Sequence, residues 1–257
     1  MTAGSSNISL CEQEGGRLTS ILGYTFLWDR KNDPISPTRG FDVRFGQDVA
    51  GIGGAVKYIR TDLSANAYRG LFNNVIASAK LQAGYIRGWG GDDVSINDRY
   101  FKGSNDFRGF DTAGVGPRVV RVNAETGEIT ERFNALGGNA FGLATAEVSF
   151  PVGVPNLLGS IFIEAGTVGL LDESEIFNDV ESNNALLGLT AGQSCENVTE
   201  AVSCLTVVDQ LEPRVTMGAS VFWESPFGPI RFDFTNPLVQ QPFDERQPFQ
   251  FTTSTRF

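Results

Sequence analysis

Apolar and polar residues alternate along many short segments of this chain, so that every second side chain is apolar. An alternation with a period of two places one set of side chains on each face of a β-strand. The pattern predicts nine strands. The first runs from about Leu18 to Asp29, and the others cover residues 40–47, 55–68, 74–85, 141–150, 160–168, 215–224, 230–235 and 249–257.

The two faces of the predicted strands differ in polarity. No stretch of the chain approaches the 18 or so consecutive apolar residues that a membrane-spanning helix needs. A β-strand in a barrel wall has apolar side chains on the side that faces lipid and polar side chains on the other side. Such a strand contains no long run of consecutive apolar residues, so a search for such runs does not detect it. Glu147 and Glu164 fall on the polar face. We expect the following apolar residues to face outward: Ile59, Leu63, Leu81, Val148, Ile163, Val221 and Phe232.

The connections between the predicted strands are sorted by length. Short turns are expected at residues 34–39, 69–73, 151–158 and 225–228. Between them lie two long polar segments, 88–139 and 170–212, and two shorter ones, 48–53 and 236–247. Outer-membrane barrels have short periplasmic turns and longer extracellular loops, whereas a soluble β-sandwich has no reason to sort its loops. The sequence therefore predicts an all-β fold, a transmembrane antiparallel β-barrel, over residues 1–257.

The predicted number of strands is odd. Single-chain bacterial barrels have an even number, and an open sheet in lipid leaves backbone groups unsatisfied. Either a further strand lies near Ile8–Glu12, or the chain is part of a larger barrel, and we favour the second interpretation. Met1–Gly4 shows none of the progression of a signal peptide, which favours a mature protein or a piece of one.

Composition and charge narrow the functional classes. The formal net charge is −10 and the chain contains no His. An acidic chain without basic clusters argues against nucleic acid as a partner. The absence of His removes the commonest general base and metal ligand. We therefore expect neither a catalytic site nor a metal or other cofactor.

The three cysteines do not have the spacing of a zinc site. Cys195 and Cys204 lie close together in a polar stretch, and Cys11 stands alone. A disulfide between Cys195 and Cys204 is one interpretation, in keeping with an oxidising compartment. Two free thiols are the other.

Several local patterns carry further information. Asp106-Phe107-Arg108-Gly109-Phe110 lies inside the longest loop, Glu147 and Glu164 occupy the segments 146–151 and 162–168, and residues 223–232 form a predicted hairpin. The last strand has Phe249, Phe251 and Phe257 in one phase, so the chain ends on an aromatic residue. Residues 118–132 read as a hairpin added to the long loop, with no role that we can assign.

Together with the segment 28–40, these patterns resemble the BamA family, in the superfamily that also contains TamA and two-partner-secretion transporters. Phe107 stands where that superfamily usually has Val, and Ser254 where relatives often have Gly, which puts a kink of the last strand in doubt. The resemblance implies a 16-stranded barrel that follows periplasmic POTRA domains. This chain would be its C-terminal portion, the last nine strands, without the POTRA domains and first strands.

The resemblance also implies a site. The loop with Arg108 would fold into the barrel lumen, where Arg108 would bind Glu147 and Glu164. Gly109 would permit a sharp turn beside the wall, and Phe107 and Phe110 would pack on either side of the ion pair. Phe249, Phe251 and Phe257 would belong to the C-terminal strand that borders a lateral seam.

The function that follows is an integral outer-membrane assembly factor, which folds and inserts β-barrel proteins through that seam. Its partners would be outer-membrane lipids, unfolded β-barrel clients, and Bam lipoproteins that bind through the periplasmic domains. The alternative is a polypeptide translocation pore of the two-partner-secretion type. An outer-membrane hydrolase is disfavoured because no Ser-centred group with a base is evident.

Overall fold

A computed structural model describes residues 18–72, 74–91, 93–123, 128–171, 203–208, 211–225 and 228–253, apart from the side chains of 203–206. The described residues contain no helix with the length and apolarity needed to cross a membrane. One 3-10 helix covers Ile96–Asp98. The strands are β1 (Ile21–Asp29), β2 (Arg39–Ala50), β3 (Tyr58–Gly70), β4 (Ile76–Gly88), β5 (Gly109–Phe110), β6 (Arg118–Asn123), β7 (Ile129–Ala135), β8 (Ala140–Pro151), β9 (Leu157–Gly169), β10 (Ser203–Val208), β11 (Arg214–Ser225), β12 (Gly228–Val239), β13 (Arg246–Gln247) and β14 (Phe249–Thr253).

Nine of these strands form one sheet in the order β1-β2-β3-β4-β8-β9-β11-β12-β14. Every neighbouring pair is antiparallel. The nine strands predicted from the alternation are therefore confirmed. Five of them extend two or more residues beyond a predicted end, β1 and β3 begin three residues later than predicted, and residues 254–257 of the predicted last strand lie outside the described residues. Within the described residues β1 pairs only with β2, and β14 pairs only with β12, so the sheet has two open edges.

The sheet has an inner face, against which the long loop after β4 packs, and an outer face. The structure places all seven apolar residues that were expected to point outward on the outer face. Glu147 and Glu164 lie in the opposite phase, on the inner face. Ile59, Leu81 and Ile163 are among the large apolar side chains that remain exposed, which suits a face whose solvent is lipid.

The buried apolar core lies between the inner face and the loop after β4. Its residues come from strand ends and from the loop: Ala50, Val56, Tyr58, Ile86, Tyr100, Phe107, Phe110, Val115, Phe141, Leu143 and Val168. Burial of each large apolar side chain of this kind contributes roughly 1.5–3 kcal/mol. This core holds the loop after β4 against the inner face of the sheet.

Two smaller sheets connect the loops. The hairpin predicted at 118–132 is present as β6 and β7, and β10 adds a third strand beside β6. The sequence gives little signal for β10, because its six residues carry no clean alternation. The Cys195–Cys204 disulfide stays a prediction, since Cys195 and the side chain of Cys204 lie outside the described residues. In the other sheet β5 pairs with β13, which precedes β14.

Candidate functional site

The loop after β4 turns back along the inner face of the sheet. Bridges of Tyr100 with Gly138 and of Lys102 with Val115 fix its two arms. Phe107 and Phe110 are fully buried, and their rings meet edge to face with centroids 5.0 Å apart. The two rings thus pack on each other, and the loop presents Arg108, which follows Phe107, to the wall.

Gly109 makes the turn next to that residue. Its φ is +97°, a conformation that side chains rarely adopt. A Cβ at this position would lie 3.1 Å from Thr216 Cγ2 and 3.3 Å from Thr235 Oγ1. Both the backbone conformation and the close approach to β11 and β12 therefore require glycine.

Arg108 is held by carboxylates of two neighbouring strands. Its backbone N–H donates to Glu164 Oε2 at 2.8 Å, and its Nε donates to Glu164 Oε1 at 2.8 Å. Its Nη2 donates to Glu147 Oε2 at 3.0 Å. Only 4% of Arg108 and 5% of Glu164 are exposed. The planar guanidinium can bind two carboxylates at once, which a lysine could not do with the same geometry.

A third acid and two hydroxyl groups complete the cluster, and sequence analysis did not single them out. Arg108 Nη1 donates to Ser220 Oγ at 3.3 Å and lies 3.7 Å from Asp233 Oδ1. Ser220 Oγ donates to Asp233 Oδ1 at 2.5 Å, and Ser160 Oγ donates to Glu147 Oε1 at 2.5 Å. The alternation places all three residues on the inner face, because each lies in the inner phase of its strand, but it does not show that they meet Arg108.

An aromatic ring also covers the guanidinium. Arg108 Cζ lies 3.4 Å from the ring centroid of Phe162, a stacked cation–π contact. The structure differs from the prediction that Phe107 and Phe110 lie on either side of the ion pair, because their rings pack on each other and the ring on the guanidinium is that of Phe162 of β9. Phe162 alternates with Ile163 and therefore points inward beside Glu164.

The charges within the cluster are nearly balanced. Arg231 Nε donates to Asp233 Oδ2 at 2.8 Å, so two arginines face three carboxylates. Burial alone would lower the pKa of Arg108, but Glu164 and Glu147 outweigh burial, and its pKa is raised. The cluster therefore keeps a charged arginine in a buried site.

The C-terminal strand is close to the same loop. Thr252 Oγ1 of β14 donates to Asn105 Oδ1 at 2.8 Å. Phe249 and Phe251 project from the outer face, where Phe251 lies 5.4 Å from the Phe232 ring. Phe257 lies outside the described residues. The loop thus touches the strand at the open edge as well as the wall that holds Arg108.

These contacts are suited to holding a loop in place. In the described part of the chain, no group of three or more His, Cys, Asp and Glu side chains could hold a metal ion. The three carboxylates around Arg108 already accept hydrogen bonds from Arg108, Arg231 or a serine.

Comparison with known proteins places this arrangement in a family. The model of the Omp85 superfamily domain matches residues 2–257. The chain is 31% identical over 247 residues to outer membrane protein assembly factor BamA of Neorickettsia risticii, which covers 95% of this chain and 28% of that relative. It is 25% identical over 259 residues to the sorting assembly machinery 50 kDa subunit of Saccharomyces cerevisiae, covering 97% of this chain and 45% of the relative.

The fold is also found in a solved structure. The crystal structure of BamA from Haemophilus ducreyi lacking POTRA domains 1–3 superposes with a TM-score of 0.68 at 21% identity, over 90% of this chain and 41% of that one. A second BamA relative, from Neisseria meningitidis, is matched over 28% of its length. The chain therefore spans little more than a quarter of the length of the BamA relatives from Neorickettsia risticii and Neisseria meningitidis.

Proposed function

The chain belongs to the Omp85 superfamily, and on that premise we propose that it is the C-terminal part of an outer-membrane barrel that folds and inserts other β-barrel proteins. It is an integral protein of the outer membrane, with the outer face of the sheet toward lipid. The observation that carries the proposal is the Arg108 cluster, which fixes a loop against the inner face of the sheet. Within the described residues the last strand of this sheet, β14, has one free edge. The activity needs no covalent chemistry, and the relatives are named as an outer membrane protein assembly factor and as a subunit of a sorting assembly machinery.

The open edge at β14 supplies the mechanism that we propose. An edge strand presents unpaired N–H and C=O groups, on which an incoming strand can pair. Within the described residues β14 pairs with β12 through five residue pairs, from Phe234 with Phe249 to Ile230 with Thr253. An unfolded client would therefore add its strands here, beside Phe249 and Phe251.

The direction of the edge strands supports a larger barrel. Because each of the eight neighbouring pairs is antiparallel, β1 and β14 run in the same direction. An antiparallel closure therefore needs an odd number of further strands, and the seven that the BamA resemblance implies fulfil this condition. In this proposal periplasmic POTRA domains and Bam lipoproteins are the remaining partners.

The role of the Arg108 cluster can be tested in the native protein reconstituted in lipid vesicles. The measurement is the folding rate of an unfolded β-barrel client added to the vesicles. We expect Arg108→Ala to slow assembly while the protein stays inserted, because the loop no longer braces β8, β9 and β12. Arg44→Ala is the matched control, since Arg44 is an exposed inner-face arginine. Equal rates for both variants would contradict the role.

Site-specific crosslinking tests the edge. In a variant without the native cysteines, Thr253→Cys on β14 should crosslink to a cysteine in the terminal strand of a client. Ser149→Cys on β8, an interior strand with neighbours on both sides, should not. Crosslinking of a client to both positions alike would refute pairing at the edge.

A further inference from the structure

Two arginines lie directly opposite each other on the outer face of the sheet. Arg39 of β2 pairs with Arg69 of β3, at the end of the sheet with the short turns. Asn66 and Tyr68 of β3 line a cavity on the inner face beside Arg108, so Arg69 points outward, and its cross-strand partner Arg39 does so as well. Like charges directly opposite each other on a sheet repel.

This pair has no counter-charge in the described part of the chain. Both residues are exposed, and neither guanidinium makes an ion pair or hydrogen bond there. The nearby acids Asp29 and Asp42 lie in the inner phase, where they bind Lys31. Arg30, whose N–H donates to Phe41 O at 2.8 Å, brings a third cation to the same corner. An anion shared by Arg39 and Arg69 would remove the repulsion.

An apolar groove begins in the next row of the outer face. Phe41 pairs with Ala67, two residues along from the arginines, which is about 7 Å at the rise of a strand. From there the groove crosses β4, β8 and β9, where small side chains such as Ala79 and Ala146 lie between larger neighbours. Its volume of about 560 Å³ falls in the range of small-ligand pockets, roughly 300–1,000 Å³.

We propose that Arg39 and Arg69 bind the phosphate of a phospholipid in the periplasmic leaflet, and that an acyl chain of this lipid lies in the groove. The planar guanidinium binds phosphate through paired hydrogen bonds. The arginines lie at the end of the sheet with the short turns, and the apolar groove lies nearer the membrane interior. The phosphate and the acyl chains of a phospholipid follow each other in the same order. The inference rests on the proposed membrane placement, in which the short turns are periplasmic.

The test uses two photoreactive lipids in vesicles that contain the native protein. Phosphatidylglycerol and diacylglycerol each carry a diazirine in one acyl chain, and mass spectrometry maps the labelled residues. We expect phosphatidylglycerol to label the groove segments 41–43 and 65–67 above the rest of the outer face. Arg39→Gln with Arg69→Gln should reduce this labelling about fivefold, a change typical of a lost ionic contact. Labelling by diacylglycerol should stay the same.

Two matched controls separate the site from general lipid contact. Arg87 points outward from β4, at the end of the sheet away from Arg39 and Arg69. Arg87→Gln should therefore leave the labelling unchanged. Ala67→Leu narrows the groove while both arginines remain, and it should reduce labelling, whereas Ala83→Leu outside the groove should not. Uniform labelling of the outer face, or equal labelling in the double arginine variant, would overturn the lipid site. In either case client assembly would still proceed, so the proposed function would be unaffected.

Discussion

Two buried arginines, Arg108 and Arg214, hold the inner loops to the wall of the sheet, and the two ion pairs differ in whether the loop or the strand carries the arginine. Arg108 is on a loop and its acids are on strands, whereas Arg214 is on β11 and its acid, Asp244, is on the loop before β14. Arg214 Nε and Nη2 donate to the two oxygens of Asp244 at 3.0 and 2.8 Å, and Arg214 is fully buried. In both regions a cation could be buried only because another element supplied a carboxylate. Each pair therefore ties a loop to the wall.

The acceptors of the two cations lie on different kinds of element. Arg108 donates to Glu164, Glu147 and Ser220 on strands, whereas the side chain of Arg214 donates to Asp244 and to the carbonyl of Glu212, which lie outside the strands. The two loops also meet each other, since β5 pairs with β13 and Asp111 N–H donates to the carbonyl of Glu245 at 2.9 Å. Loss of Arg108 removes a cation from Glu147 and Glu164 together, whereas loss of Arg214 removes one from Asp244.

The largest effect is expected for Arg108→Ala. Removal of the cation leaves the nearby Glu147, Glu164 and Asp233 close together in a buried site, and the free energy of unfolding should fall by about 3–5 kcal/mol. The measurement is a urea titration of the protein in vesicles. Arg44→Ala, the control, should change the free energy of unfolding little. A loss near 1 kcal/mol would mean that water screens the site as it does a surface pair.

Arg214→Ala should cost somewhat less, about 3 kcal/mol, because it leaves one buried carboxylate without its cation. The comparison is sharpened by replacing both partners. Arg214→Met with Asp244→Leu should recover most of the loss in the same titration, since a well-packed apolar pair often equals a buried ion pair. If the double variant were as unstable as Arg214→Ala, the loss would come from packing rather than from an unpaired charge.

Gly109→Ala tests the turn beside Arg108 without changing any charge. We expect a loss of about 1–3 kcal/mol, because the alanine must adopt a positive φ and approach Thr216. Limited proteolysis of the long loop should accelerate in parallel. Gly142→Ala is the control, since its Cβ would meet no atom within 4 Å. Equal effects at the two positions would show that the turn is not constrained.

The smallest effect is expected at Glu245, which binds Arg118 at 2.7 Å but has a side chain that is 52% exposed. Glu245→Gln should lower the unfolding free energy by about 1 kcal/mol, because the amide oxygen can still accept a hydrogen bond from the buried guanidinium of Arg118, while the lost carboxylate charge is half exposed and screened by water. A loss as large as that of Arg214→Ala would show that exposure does not separate the strong contacts of these loops from the weak ones.

The sequence predicted the part of this structure that depends on local alternation. Nine strands, their faces and the inward phase of Glu147 and Glu164 follow from a period of two, and the resemblance of the loop motif pointed to Arg108. The alternation alone could not show that Asp233 joins the cluster, because this depends on the register of β12 against β11. The ion pair of Arg214 and Asp244 was not predicted for a similar reason, since the chain must fold back before an acid on a loop meets an arginine on a strand.

The central claim is that Arg108 and the wall carboxylates act as one unit. A double-mutant cycle of Arg108→Met and Glu164→Gln, read from unfolding free energies in vesicles, tests it most directly. We predict a coupling energy of about 1.5–3 kcal/mol, because Arg108 and Glu164 are in direct contact in a buried site. Additive effects, with a coupling below about 0.5 kcal/mol, would contradict the account.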